Sequence, residues 1–576
     1  MSLNPTCYVL SIILNRLSRL SCSVYHLRLF NVEVTAYVAA AAILCRTWIE
    51  QPGTRDKSPR GISIYAVMTG FNIALFPVMV FFSGMYYTDV VSTLVVLAAY
   101  LNQLGRLGRA HTESFTESAP VVVLGILALC MRQTNIFWVV VFMGGIEIVH
   151  RLRSLRPQPV ETPSFSTLTE QIKFYAWRYS LGEIHDPPLN QANPLDLVLC
   201  IISIAIAAVC CPRTILLRSG GLPHLLVLFI FAGFVAVNGG VVLGDKSNHV
   251  ATLHLTQLLY IWPLFAFFSA PLFTPQALNI ATAAYRTLLS PTRSSFTGQT
   301  PKGRLHTTNQ QAPKQPLALR IANRLGSNTA FQTCIVTAGA LAAAVGIVRF
   351  NTVVHPFTLA DNRHYMFYVF RYTILRAPWV RYALAPAYVV CGWLCLTALR
   401  GYGGSRRAPS DTSPSSGSAE APSSPSPSAV GKAEKKDTAV PTTSQDDAAD
   451  SAAAAPPPTS TVLILLLATA LSLMTAPLVE PRYFILPWVF WRLHVPAWSP
   501  PPPPSSAQSG GTSSLLSQSR ARDGSASGVD PRLVLELLWF ALINVGTMYV
   551  FLARPFYWRA ADGTLLDGGR MQRFMW

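Results

Sequence analysis

The sequence predicts an all-α, polytopic integral membrane protein, and three observations carry that prediction. Hydrophobic residues make up 51% of the 576 positions and charged residues 12%, about half the ~25% usual for soluble chains. Apolar runs near the ~20 residues needed to cross a bilayer recur along the chain. The basic residues behind the formal net charge of +18 fall between those runs. That is the pattern of loops held on the cytosolic side, not of a nucleic-acid-binding face. The 10 cysteines are scattered; they form no CxxC pair and no cluster with histidine, which argues against a zinc site or a disulfide framework.

Residues 1–33 are an atypical start. The apolar stub PTCYVLSIIL lacks a basic lead and a cleavage site, so it reads as a late-starting anchor or a truncated beginning rather than a signal peptide. A transmembrane core is expected over 34–400. It opens with the short run Val34–Cys45 and continues with Ile62–Phe82, Thr88–Leu104 and Ala119–Val149, the last broken by Arg132–Asn135. Leu195–Cys211, Leu222–Leu243, Val250–Ala270, Thr329–Val348 and Met366–Leu375 with Arg381–Leu399 complete it. The core resumes over 459–495, and 531–576 holds a last span and a tail. Roughly ten to thirteen spans are expected at ~20 residues each. Between them, 401–458 (Ser, Pro and Ala) and 496–530 (Pro, Ser and Gly) have too little apolar surface to offset chain entropy and are expected to be disordered insertions.

Arg46–Arg60, Arg106–His111, His150–Arg156 and Tyr285–Arg324 are basic and read as cytosolic. SGMYYTD (Ser83–Asp89) and the stretch His355–Arg371 then fall on the opposite side.

Three polar knots interrupt the apolar chain. Charge beside a membrane span is costly, so each is a candidate functional site. In HPFTLADNRHYMFYVFR, Asp361 is expected to cap a helix entering at Tyr365. Arg363, Phe367 and Arg371 would then share one face, the two guanidiniums forming a clamp for a phosphate. An interfacial belt is the plainer account of Arg371 and Tyr372, but anchoring does not call for Asp361, Asn362, Arg363 and His364 together. In GDKSNHVATLHLTQ, helical spacing pairs Asp245 with His249 and Lys246 with His254, a set suited to a charged headgroup. A metal site competes, but His249 and His254 stand five apart rather than the four that aligns two ligands. A polar turn at the membrane surface would also account for it. In EPRYFILPW, Glu480 and Arg482 are as consistent with a structural pair at a helix start as with substrate contact. Asp89 has N-capping as its ordinary role. Arg132 lies within an apolar run and needs a counter-charge, which a lipid phosphate would supply.

From the residues alone, two classes fit. One is a transferase using a lipid phosphate, with cations stabilising the leaving phosphate and a carboxylate deprotonating the acceptor. The other is a transporter or flippase of an anionic lipid, which should show inverted repeats with broken helices.

The motifs GDKSNHVATLHLTQLLY, HPFTLADNRHYMFYVFRY, LVEPRYFILPWVFWRL, MYYTDV, MRQTNIFWV and the terminal QRFMW closely resemble those of the dolichyl-phosphate-glucose α-1,2-glucosyltransferases of the endoplasmic reticulum. The resemblance covers most of the chain from about Arg28 on, the two insertions aside. It implies a GT-C-like fold in the endoplasmic reticulum membrane with a luminal site and no cofactor. It also implies a dolichyl-phosphoglucose donor, a diglucosylated dolichyl-pyrophosphate oligosaccharide acceptor, and inverting transfer of the terminal α-1,2-linked glucose. On this reading Arg132, Lys246, His249 and Arg363 stabilise phosphate, and Asp361, Asn362, His364 and Arg482 contact sugar. Family members carry an Asp-Glu pair in a first luminal loop, the expected source of the base. This chain has no matching segment, which suggests a truncated beginning and leaves Asp89 as a stand-in acid. A catalytically dead relative that only binds dolichol-linked glycans is the alternative.

Overall fold

The computed structural model describes residues 23–51, 61–107, 115–155, 157–158, 160, 163–217, 221–241, 253–289, 329–360, 362–401, 453–476, 478–498, 530–560 and 562–576, with Val9, Ile12 and Arg16 before them. Apart from an antiparallel pair, Phe556–Tyr557 with Met571–Gln572, the regular structure of these residues is helical. Five helices are long and apolar enough to cross a membrane: Val24–Glu50, Gln133–Ser154, Phe331–Phe350, Pro378–Arg400 and Pro531–Ala553. The count rises to 7 if each of two bent helix pairs is one span. Ser118–Met131, Pro194–Cys210, Leu222–Asn238 and Thr459–Met474 are apolar but shorter. The protein is all-α and multi-pass. The expected ten to thirteen spans are reached only by including the short helices.

The bends have local causes. Ile62–Phe82, expected as one span, is two helices, Ile64–Ala74 and Pro77–Ser83, turned by 56°. Pro77 lacks the N–H a continuous helix would need, and Phe76 takes an extended backbone. The Phe76 ring stacks on Trp488 at 4.0 Å and meets Phe268 edge-on. A sharper turn of 81° separates Gln257–Phe268 from Ala270–Thr282, with Pro271 just beyond it.

The first helix is longer than expected, 27 residues against the run Val34–Cys45. Ser23 caps it, its Oγ accepting from the His26 N–H. Polar side chains toward both its ends bond to other parts of the fold. Asn31, fully buried, donates from Nδ2 to the carbonyls of Met85 at 2.8 Å and Tyr87 at 2.9 Å. At the other end Arg46 reaches Glu50 at 2.8 Å and the carbonyls of Leu493 and Ala453. Ile64–Ala74 packs so closely on this helix that a Cβ on Gly70 would lie 2.8 Å from the Ala39 carbonyl oxygen.

The chain path gives the bundle two ends. Met85–Asp89, Arg132, Glu480–Arg482 and the segment after Ala553 lie at one. Arg46–Glu50, Arg106, Arg492–His494 and Asp530–Arg532 lie at the other. Two of the expected basic loops begin at this second end, opposite SGMYYTD. Their first residues are not loop charges, however: Arg46 and Arg106 are buried.

Packed chain extends into both expected insertions, back to 453 from the limit at 458 and on to 498 from the limit at 496. Ala453 is buried and its carbonyl accepts from the Ala497 N–H at 2.9 Å. The Leu189 N–H donates to the Pro457 carbonyl at 3.0 Å. Gly401, with φ +73°, abuts Pro496. Trp498 donates its N–H to Asp530 Oδ2 at 3.0 Å.

Candidate functional site

The site end is built on interrupted helices. After Phe115–Met131 the backbone extends at Arg132, makes a 3-10 turn over Gln133–Asn135, and continues as a π-helix over Phe137–Met143. The expected break at Arg132–Asn135 is therefore real, and it turns Arg132 across to Thr88–Arg106. There Arg132 Nη2 lies 2.8 Å from Asp89 Oδ1. The Asp89 side chain is 2% exposed and that of Arg132 21%. Asp89 is not the helix cap. The cap position is Tyr87, with no side-chain cap bond, and Asp89 is the counter-charge that Arg132 required. A lipid phosphate is not needed for that purpose. Asn135, fully buried, ties the turn down by donating to Ser92 Oγ and the Ala128 carbonyl, both at 2.8 Å.

A second pair stands beside the first. Glu480 precedes a 3-10 turn, Pro481–Phe484, and its carboxylate accepts from Arg482 Nε. The buried amide of Gln257 fixes the approach to this turn. Its Nε2 donates to the carbonyls of Ala476 at 2.6 Å and Leu478 at 3.1 Å. The two guanidiniums lie against one ring: Arg132 Cζ is 5.7 Å and Arg482 Cζ 5.5 Å from the centroid of Tyr483. Arg482 also stands 5.6 Å from the Tyr87 ring. Burial works against the Arg482 charge, but the Glu480 and Asp89 carboxylates outweigh it and raise its pKa above the ordinary value. Burial likewise raises the Tyr87 phenol, with Arg482 and, more weakly, Arg363 pulling it down.

Of these groups Asp89, Arg132, Arg482 and Tyr483 line a cavity of about 390 Å³. Asp89, Arg132, Gln133, Thr134 and Arg482 give it a polar wall; Ile136, Phe137, Phe231 and Leu486 give it an apolar one. The arrangement suits an amphipathic anion, with its phosphate at the guanidiniums and its hydrocarbon on the apolar wall.

Asp245, Lys246, His249 and Asp361 lie outside the described residues. His254 is buried and lies in non-helical chain ahead of the helix that starts at Gln257; the Lys246 with which it was expected to pair lies outside the described residues. Its N–H donates to the Met474 carbonyl at 2.8 Å, and Asn351 donates to the Leu253 carbonyl at 2.8 Å. Leu253 and His254, at the described end of the second knot, are thereby set against the lead-ins to the other two. The expected Arg363–Arg371 clamp does not form. The helix begins at Tyr365, after Arg363, and passes into a π-turn over Phe370–Ile374 that breaks the four-residue register. Arg371 is exposed and lies 5.6 Å from the Phe367 ring centroid. Arg363 instead donates from Nη1 to Gln572 Oε1 at 2.5 Å, while His364 Nδ1 is 3.2 Å from the Trp576 carbonyl oxygen. Asn362 sits in the turn before them, half-buried.

Sequence reasoning missed the charges of the opposite end. Arg492 and Glu536 are both fully buried and joined at 2.8 Å, with Asn72 donating to Glu536 at 2.7 Å. Single charged residues inside WVFWRLH and LVLELLWF were the available signal.

A family model described as the DIE2/ALG10 family matches residues 3–493. A relative from Pyricularia oryzae is 46% identical over 96% of this chain and 79% of its own. One from Gibberella zeae is 43% identical, covering 96% and 82%. One from Homo sapiens is 26% identical, covering 96% and 81%. Each is named Dol-P-Glc:Glc(2)Man(9)GlcNAc(2)-PP-Dol alpha-1,2-glucosyltransferase. No solved structure matches the chain.

Proposed function

The chain belongs to the DIE2/ALG10 family, and on that premise we propose that it transfers glucose from dolichyl-phosphoglucose to a diglucosylated dolichyl-pyrophosphate oligosaccharide, forming the terminal α-1,2 linkage. The observation that carries the reading is the pair of guanidiniums, Arg132 and Arg482, against one tyrosine in the wall of a partly apolar cavity. The donor has the matching two-part chemistry, a phosphodiester joined to a polyisoprenoid.

The acceptor hydroxyl attacks the anomeric carbon as the bond from that carbon to the phosphate oxygen breaks, and its proton is taken by a base and, in the net balance, released with the dolichyl phosphate. Charge gathers on the departing dolichyl phosphate, and positioned guanidiniums are most useful at that point. Asp89 and Glu480 hold the two guanidiniums in place before substrate arrives. Asp89 is the one carboxylate among the described lining residues, and its ion pair with Arg132 supports reading it as the holder of that cation. Residues of the other two knots, Asp245, Lys246, His249, His254, Asp361, Asn362, Arg363 and His364, complete the substrate-binding set in this reading. The cavity end then faces the lumen of the endoplasmic reticulum, opposite the basic end at Arg46 and Arg106.

The test is expression in cells whose lipid-linked oligosaccharide stops at two glucoses. The expected outcome is a shift to three glucoses, lost on Arg363→Ala with the protein still in the membrane. An oligosaccharide that remains at two glucoses despite expression would overturn the proposal.

A further inference from the structure

The polar side chains around the site cavity divide into those already engaged within the fold and those left open. Asp89 and Arg132 are paired with each other, and Arg482 is held by Glu480. Ser92 accepts from Asn135 at 2.8 Å. Thr93, Ser472 and Thr475 donate their hydroxyl protons to carbonyls one turn back, at 2.8, 2.9 and 3.1 Å. Four polar lining side chains make no hydrogen bond or ion pair with any described residue: the amide of Gln133, the hydroxyl of Thr134, the indole of Trp138 and the phenol of Tyr483. Two of these are engaged through their rings, Trp138 stacked on Phe490 at 4.9 Å and Tyr483 against the two guanidiniums. Thr134 offers a single exposed hydroxyl. Gln133 is half-buried, and both ends of its amide are open. Its backbone is fixed nonetheless. The Arg132 N–H donates to the Ala128 carbonyl at 3.0 Å and the Asn135 N–H to the Arg132 carbonyl at 3.0 Å, while the Ile136 N–H donates to the carbonyl of Gln133 itself.

We propose that Gln133 is a specificity-determining residue, its amide reading the hydroxyls of the glucosyl group on the lipid donor. The inference rests on the function proposed above for the same cavity. A sugar hydroxyl both donates and accepts, and a primary amide is the matching group, with two N–H donors and one carbonyl oxygen. Being neutral, the amide adds no negative charge beside the phosphate, whereas a carboxylate at this position would oppose the anion that the guanidiniums attract. Arg132 and Gln133 line the one cavity, so a phosphate and the sugar bonded to it can be held together there. A site with open hydrogen-bonding groups selects for the ligand that fills them, because a ligand without the hydroxyls leaves them unpaired.

The experiment compares two lipids, dolichyl-phosphoglucose and dolichyl phosphate, binding to the purified full-length protein. They share phosphate and hydrocarbon and differ by the sugar, and affinity is read without turnover. Gln133→Ala is expected to weaken binding of dolichyl-phosphoglucose about tenfold, the equivalent of ~1.4 kcal/mol, and to leave binding of dolichyl phosphate unchanged. If the alanine variant does not fold, Gln133→Met takes its place, keeping the length of the side chain without its hydrogen-bonding atoms; the same lipid-selective loss is expected. Unchanged affinity for both lipids in a folded variant would overturn the proposal. So would an equal loss for both, the result expected of a structural role or of contact with the phosphate alone. Wild-type protein that binds neither lipid would overturn the function proposed above and this inference with it, and that failure is read from the wild type rather than the variant.

Discussion

The two ends of the bundle both hold arginine–carboxylate pairs, and they hold them differently. At the far end Arg492 and Glu536 are fully buried and bonded through several nitrogen and oxygen atoms, with Tyr65 beside them. Arg532 and Asp530 pair at 2.7 Å, again with almost no exposure. None of these four residues lines the cavity at the site end. At the site end the carboxylate of each pair is bound, yet the guanidinium keeps an open side: the Arg132 side chain is 21% exposed and that of Arg482 16%. The far pairs are locks, because each charge is consumed by its partner. The near pairs are mounts, because the carboxylate orients a cation whose other face meets the cavity.

That contrast predicts opposite profiles for the same kind of substitution. The largest effect is expected from Glu536→Ala, which strands Arg492 in the interior and should cost about 3–5 kcal/mol of stability. Thermal unfolding in detergent measures it. Replacing both partners, Arg492→Met with Glu536→Leu, should recover most of the loss; a double variant as unstable as the single one would show that the lock is more than a charge pair. Arg482→Ala should behave the other way, with transfer reduced by about 10²–10³ and the unfolding temperature moved little. Asp89→Asn should fall between, weakening the mount of Arg132 without removing the cation, for a loss of about 1–3 kcal/mol shared between stability and rate. The smallest change is expected of Asn31→Ala. It deprives the Met85 and Tyr87 carbonyls of a donor but leaves every charge in place, so ~1 kcal/mol of stability should go with the rate per folded molecule unchanged.

Much of the architecture was legible because its signals are local. Apolar runs gave the class of fold, and the polar break in an apolar run gave the turn at Arg132. The Glu480–Arg482 pair was legible because its members are two residues apart. Asp89–Arg132 was not: the need for a counter-charge showed in the sequence, but its source lies on another helix. The Arg363–Arg371 clamp failed for a different reason. Four-residue spacing implies one face only in an unbroken α-helix, and here one arginine precedes the helix while the other sits in a π-turn. Bends at Phe76 and Ser269 also changed the span count, since a proline beside a short polar or extended residue divides what hydropathy joins.

The contacts around Pro496–Trp498 bear on how such a chain can vary. Gly401 abuts Pro496, and Ala453 is bonded to Ala497, so the chain leaves and rejoins the bundle at neighbouring points. Trp498 and Asp530 are bonded to each other across the second interval in the same way. When both ends of a segment are already fixed side by side, closing a longer loop adds only a logarithmic entropy cost, ~0.6 kcal/mol for each doubling of length. The stretches 402–452 and 499–529 can therefore lengthen or shorten by tens of residues with little effect on the helices that carry the site, and the bundle is in this sense indifferent to how much sequence is spliced between its anchor points.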